Sequence, residues 1–180
     1  MLQRTSDNAL RAMGQATSGI DFFSNDYLGF SRSNTIFDRS SALLKEHQLE
    51  VNGATGSRLL SGNHALFTVA ESQIAAFHKT EKALIFNSGY DANVGFFGSV
   101  PQRGDIILYD ELCHASIRDG ITMSHAKAFK FKHNNIAEVE AAAKRHASFN
   151  PEHPPEIYIV TEAVFSMDGD LAPIKQLATF

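Results

Sequence analysis

The stretch Asp105-Ile106-Ile107-Leu108-Tyr109-Asp110-Glu111-Leu112-Cys113-His114-Ala115-Ser116 decides the fold. An apolar run of strand length is followed at once by an acidic turn, then by a helix-like stretch near His114 to Ser124. A run without polar alternation suits a strand covered on both faces. Outward from it the same pattern repeats. Ala83-Leu84-Ile85-Phe86 precedes Asn87-Ser88-Gly89 and a helix from Asp91. Ala128 to Phe131 is a weaker strand ahead of a helix over Ile136 to Ala147, rich in Ala, Glu, Lys and Arg. Ile157 to Thr161, continuous and β-branched, is the strongest strand. Strand, loop and helix in alternation predict an α/β fold with a mostly parallel sheet.

Toward the N-terminus, Asp21 to Gly29 reads as a short extended entry ending in a turn. Asn34 to Leu49 has helical spacing, with Ile36, Ser40, Leu43, Leu44 and His47 on one face. Val51 to Gly62 carries Gly53, Gly56 and Gly62 and interrupts regular structure. His64 to Lys79 restores a helical stripe of Leu66, Val69, Ala70, Ile74 and Phe77, with Asn63 placed to cap it. Pro151, Pro154 and Pro155 break the chain. Pro173 to Phe180 opens a further helix. Parallel strands need crossovers, and this one is expected to lead to a further strand, so the sheet is expected to be incomplete in this chain.

With 180 residues, 43% of them hydrophobic, the chain can bury a core. A net charge of −4 and scattered basic residues give no electrostatic footprint for nucleic acid or an anionic membrane. The first twenty residues hold no continuous apolar run, so no secretory signal is read there. No stretch approaches the length of apolar sequence that spans a bilayer. A single cysteine, Cys113, permits no internal disulfide and fits a reducing, cytoplasmic setting.

Three segments carry candidate chemistry. Asn87-Ser88-Gly89-Tyr90 stands between a strand and a helix, where backbone N–H groups bind phosphate; Gly and Ser also serve such turns for geometry alone. His114 follows a strand, where open parallel sheets bind ligands. Its imidazole suits stacking on an aromatic cofactor or moving a proton, or it is a surface histidine at a helix start. Nothing in the sequence lowers the pKa of Cys113 toward a nucleophile. Thr161 to Asp170 places Glu162, Ser166, Asp168 and Asp170 after the strongest strand. No histidine or further oxygen ligand is near them in sequence, so no metal is expected, and Asp168 suits the turn at Gly169. Gly53-Ala54-Thr55-Gly56-Ser57-Arg58 lacks the ending of a P-loop. His133-Asn134-Asn135 precedes and caps the next helix, and His47, His78 and His146 fall at helical surface positions.

In order and spacing, five segments resemble the α-oxoamine synthases, pyridoxal-phosphate (PLP) enzymes of aminotransferase-like fold type I. They are Asn25-Asp26-Tyr27-Leu28-Gly29, Gly53 to Gly62, Asn87 to Asn93, His114-Ala115-Ser116, and Thr161-Glu162 through Asp170. The resemblance covers roughly residues 21 to 180. It implies an N-terminal arm over 1–35, with 36–180 as the N-terminal part of an incomplete PLP-binding large domain. It also implies condensation of an amino acid with an acyl-CoA. Ser88, Gly89 and Tyr90 would hold the phosphate, and His114 would stack on the ring as the catalytic residue. Glu162 and Ser166 would line the cofactor, and Asn25 would meet the substrate carboxylate. Ser57 matches a position that reaches a neighbouring subunit, which implies a homodimer. The family's Schiff-base lysine and pyridine-pairing Asp are expected beyond Phe180. The stretch Leu60-Ser61-Gly62-Asn63 and the Glu162–Asp170 segment are closest to the member that joins L-alanine to pimeloyl-CoA for biotin, with glycine- and serine-using members as alternatives. A non-catalytic homologue and an aminotransferase are the competing readings.

Overall fold

The computed structural model of the chain describes residues 19–20, 22, 24–147 and 154–179. Residues 1–18 of the expected arm, Asp21 and Phe23 of the extended entry, and Pro151 lie outside them. The chain divides into two units, residues 1–66 and 67–180.

In the first unit, Gly29 takes a left-handed conformation (φ 69°) that turns the chain into a 3₁₀ turn, Phe30–Arg32. The Ser33 hydroxyl then caps helix α1, Asn34–Glu46, by accepting from the Ile36 N–H (3.4 Å). The Gly-rich segment is a compact turn. The Ser57 carbonyl accepts from the amides of Leu60, Ser61 and Gly62 at 3.0, 3.1 and 2.9 Å. A Cβ on Gly62 would lie 1.8 Å from the Gly56 carbonyl oxygen, so the close approach requires glycine. Asn63, expected to cap the next helix, has its Oδ1 accepting from Arg58 Nε (3.0 Å).

Helix α2, Ala65–His78, begins at the boundary between the units. In the second unit α3 spans Gly89–Ser99, and among the described residues three parallel strands follow: β1, Ile106–Asp110; β2, Lys127–Phe131; and β3, Ile157–Val160. Their order is β2-β1-β3, with Ile107 paired to Ala128 on one side and to Tyr158 on the other. Helix α4, Ala115–Met123, connects β1 to β2, and α5, Ile136–Ala147, precedes β3. A short α6, Ile174–Thr179, follows Pro173.

Successive strand residues face opposite sides, and the core divides accordingly. Ile107 and Val160 pack with Phe97 of α3 and with Ile117 and Ile121 of α4. Ile106 and Leu108 pack with Phe131 and with Val139 and Ala143 of α5. Both faces of β1 are therefore covered, as its unbroken apolar run demands.

Two expectations are corrected. The run Ala83–Phe86 forms no strand and joins no sheet among the described residues; the Ile85 N–H donates to the Glu71 carboxylate of α2 (2.9 Å) instead. An apolar run reports burial tendency, whereas a strand also needs a neighbouring edge, which local sequence does not specify. His146 is half-buried rather than on the surface, stacked on Phe129 at 4.4 Å between ring centroids. It continues the α5 stripe of Val139 and Ala143, and its burial lowers its pKa.

Candidate active site

The segments that follow β1 and β3 meet the start of α3 at the carboxyl side of the sheet. They form an open cleft of about 530 Å³. Gly89, Tyr90 and Asn93 line it from α3, His114 and Ser116 from the start of α4, and Thr161 and Glu162 from the segment after β3.

Ser88 is the N-cap of α3, and its hydroxyl accepts from the Asp91 N–H at 3.0 Å. The Ser88 carbonyl accepts from the Ala92 N–H (3.0 Å). The Gly89 and Tyr90 amides of the first turn are thus free of intrahelical partners, as at any helix start. A Cβ on Gly89 would meet nothing within 4 Å, so the backbone there can be approached closely. The Tyr90 hydroxyl donates to Asp119 of α4 (2.7 Å), which raises its pKa and ties the two helices together.

His114 is the N-cap of α4, with its ring nitrogen Nδ1 turned inward. Nδ1 accepts from the Ser116 N–H (3.2 Å) and lies 2.8 Å from the Ser116 hydroxyl. That hydroxyl accepts from Asn93 Nδ2 (2.9 Å), so its own hydrogen goes to Nδ1. With two donors on Nδ1, the neutral ring carries its proton on Nε2. The His114 backbone N–H donates to Glu162 Oε1 at 2.5 Å, joining the β1 and β3 loops. Asn93 and Ser116 belong to quoted motifs, yet their roles require contacts 23 residues apart that spacing alone does not display.

The remaining site residues are distributed as follows. Ser166 is exposed on a hairpin after Glu162 and outside the cleft lining. That hairpin is closed by the Val164–Leu171 bridge and by the Phe165 N–H donating to the Asp170 carbonyl (2.9 Å). Asn25 and Ser57 belong to the other unit, where Asn25 is exposed and Ser57 organises the Gly-rich turn. Cys113 is buried, and that burial pushes its thiol up to about 11.

His133 is the residue the sequence undervalued. Asn135 does the capping of α5, its Oδ1 accepting from the Glu138 N–H (3.1 Å). His133 itself lies between two carboxylates, with Nδ1 2.9 Å from Asp110 Oδ1 and Nε2 2.7 Å from Asp170 Oδ2. Its pKa is raised, chiefly by the bond to Asp110 and then by that to Asp170. The available signal was topological: a histidine just past β2 lies near a carboxylate at the end of the adjacent parallel strand.

Residues 17–180 match the family described as Aminotransferase class I and II. The 8-amino-7-oxononanoate synthase of Emericella nidulans is 43% identical over 165 residues, covering 89% of this chain and 40% of that protein. Among solved structures, serine palmitoyltransferase from S. paucimobilis, with PLP bound, is 30% identical at a TM-score of 0.73, covering 87% of this chain and 38% of that one. The 8-amino-7-oxononanoate synthase of Francisella tularensis is 26% identical at a TM-score of 0.66, covering 90% of this chain and 42% of that one. The chain thus spans about two fifths of the length of the curated relatives it matches.

Proposed function

The chain belongs to the aminotransferase class I and II family, and from that premise we propose that it supplies the cofactor cleft of a PLP-dependent enzyme condensing an amino acid with an acyl-CoA. Its α/β architecture is that of the PLP-dependent transferases of fold type I. The reaction most in keeping with the sequence is that of L-alanine with pimeloyl-CoA, the 8-amino-7-oxononanoate synthase reaction of biotin biosynthesis, supported by the 43% identity to such an enzyme. The observation that carries the reading is the convergence of the α3 N-terminus, His114 and Glu162 on one cleft.

The residues present fit PLP. A dianionic phosphate needs several donors, and the Ser88 hydroxyl with the Gly89 and Tyr90 amides forms such a set at the positive end of a helix. PLP, when bound, supplies the electron sink for chemistry at the amino-acid α-carbon. His114 offers a flat face, and the donors on Nδ1 hold the ring's orientation and keep the exchangeable proton at Nε2. Glu162 anchors the His114 backbone, so the ring position depends on the loop after β3. Ser166 and Asn25 are assigned to cofactor and substrate contacts on the family resemblance, and Ser57 to a contact across a homodimer. Free, buried Cys113 suits a cytoplasmic enzyme. Among the described residues no helix is long and apolar enough to cross a membrane.

A second reading within the same class, a serine-using member, has the support of the higher TM-score to serine palmitoyltransferase. One assay separates the readings: CoA release by the complete polypeptide with PLP, scored with alanine, glycine or serine against pimeloyl-, acetyl- or palmitoyl-CoA. Release dependent on L-alanine and pimeloyl-CoA is expected. Exchange between amino and keto acids, or no reaction, overturns the proposal. His114→Ala is expected to lower kcat by about a hundredfold or more with PLP still bound, as loss of a positioning or proton-moving group does.

A further inference from the structure

We propose that His133 is a positioning residue for the cleft: a doubly donating imidazolium that ties the Val164–Leu171 hairpin to the ends of β1 and β2 and so sets the loop carrying Glu162. The purpose assigned to the clamp rests on the PLP reading; the clamp itself does not.

The argument is a count of donors and acceptors. Asp110 is fully buried, and its Oδ1 accepts from the Leu112 N–H (2.9 Å) while its Oδ2 accepts from the Asn134 N–H (2.9 Å). Asp170 Oδ2 already accepts from Asn134 Nδ2 (2.9 Å). Asn134 Nδ2 also stands 3.2 Å from Nε2, but it donates to Asp170 at the shorter distance; the nearest atom to each ring nitrogen is therefore a carboxylate acceptor, and a neutral imidazole has one N–H to offer. Only the charged ring satisfies both. The same charge balances the fully buried Asp110 carboxylate.

The groups around the ring favour that charge. Glu111, beside Asp110, accepts from the His133 N–H through Oε1 (3.2 Å). Lys132 pairs with Glu111 at 3.7 Å and points to solvent. From the first turn of α5, Glu138 accepts from the Lys132 N–H (2.8 Å). The hairpin contributes Asp170, so carboxylates outnumber cations around the ring. The Phe165 ring stands edge-on to His133 at 4.5 Å between centroids and is buried.

Mechanically, the clamp acts at the return of the hairpin. Asp170 is held by His133 and Asn134, and its carbonyl accepts from the Phe165 N–H. Phe165 is three residues past Glu162, whose carboxylate receives the His114 backbone N–H. Loss of the charge on His133 removes one of its two carboxylate bonds, and Asp170 is the partner with the more exposed side chain. The folded-state pKa of His133 lies above its ordinary 6.5. The clamp is therefore complete below that ordinary value and is lost as pH rises through the raised one.

The test uses the ¹⁵N-labelled complete polypeptide. Long-range proton–nitrogen correlation spectra read the protonation of both His133 ring nitrogens, and hydrogen-exchange protection factors are taken for the Phe165 and Gly169 amides. Both nitrogens are expected to be protonated at pH 6, and hairpin protection is expected to fall as His133 titrates. His133→Gln is expected to abolish that pH step and lower protection by about tenfold or more, the equivalent of one hydrogen bond to a charged group. Asp170→Asn keeps the bond to Asp110, so it guards against a misfolded first variant; it is expected to lower the His133 pKa with a similar loss of protection. A singly protonated His133 at pH 6, or hairpin protection unchanged in Asp170→Asn, overturns the proposal. PLP binding is followed separately by visible absorption. A protein with the clamp and no PLP sinks the cofactor reading alone, and one with PLP and a neutral His133 sinks the clamp alone.

Discussion

Cys113 and His114 are neighbours in sequence with opposite fates, because the chain leaves β1 through Asp110 and turns at that point. The Cys113 N–H donates back to the Asp110 carbonyl (3.2 Å), which drives the thiol into the core between Ile107 and Ile117, while His114 emerges at the cleft. With its pKa near 11, Cys113 is expected to react with a thiol-alkylating reagent at pH 8 more than about a hundredfold slower than an unfolded cysteine of ordinary pKa. Mass spectrometry before and after denaturation reads this, and equal rates would make Cys113 a candidate nucleophile after all. The cleft residues were legible because they lie just past strands or at a helix start, positions a sequence reader can locate. The partners of His114 and His133 were not. Glu162 and Asp170 reach them across 48 and 37 residues, and the distance is closed only by the sheet.

At the scale of elements, α3 and α4 are pressed together at Gly120. A Cβ there would lie 2.8 Å from the Asn93 carbonyl oxygen and 3.0 Å from Val94 Cα, both backbone atoms that cannot rotate away. Gly120→Ala therefore forces the helices apart and is expected to cost about 1–3 kcal/mol, as overpacking of a close contact does. A urea titration measures the loss, and an unchanged midpoint would show that the helices are not in contact there. Asn93 lies at this junction, so the variant is also expected to disturb the Asn93–Ser116 bond behind His114. Helix positions were readable from periodicity and caps: α5 has its expected bounds, and α4 follows the acidic turn. Strand pairing was less so, since Ala83–Phe86 has the composition of a strand and no partner edge among the described residues.

At the scale of the whole molecule, large apolar side chains remain on the surface of both units. Tyr27, Leu59 and Leu60 are exposed in the first, and Phe77, Leu84 and Val164 in the second. Exposed apolar side chains of this size favour association where they adjoin one another. Residues 1–180 on their own are expected to self-associate, with light scattering giving masses above 19.8 kDa that rise with concentration. A monomer at every concentration would mean that this apolar surface needs no cover. The strand order bears on the making of the chain as well. β1 is joined to β2 across one short helix, while β3 lies farther along, so Ile107 and Ala128 are both synthesised before Tyr158. During translation the central strand therefore carries one bare edge while residues 132–156 emerge, and for that interval the nascent chain has half of its ladder open to rival strands.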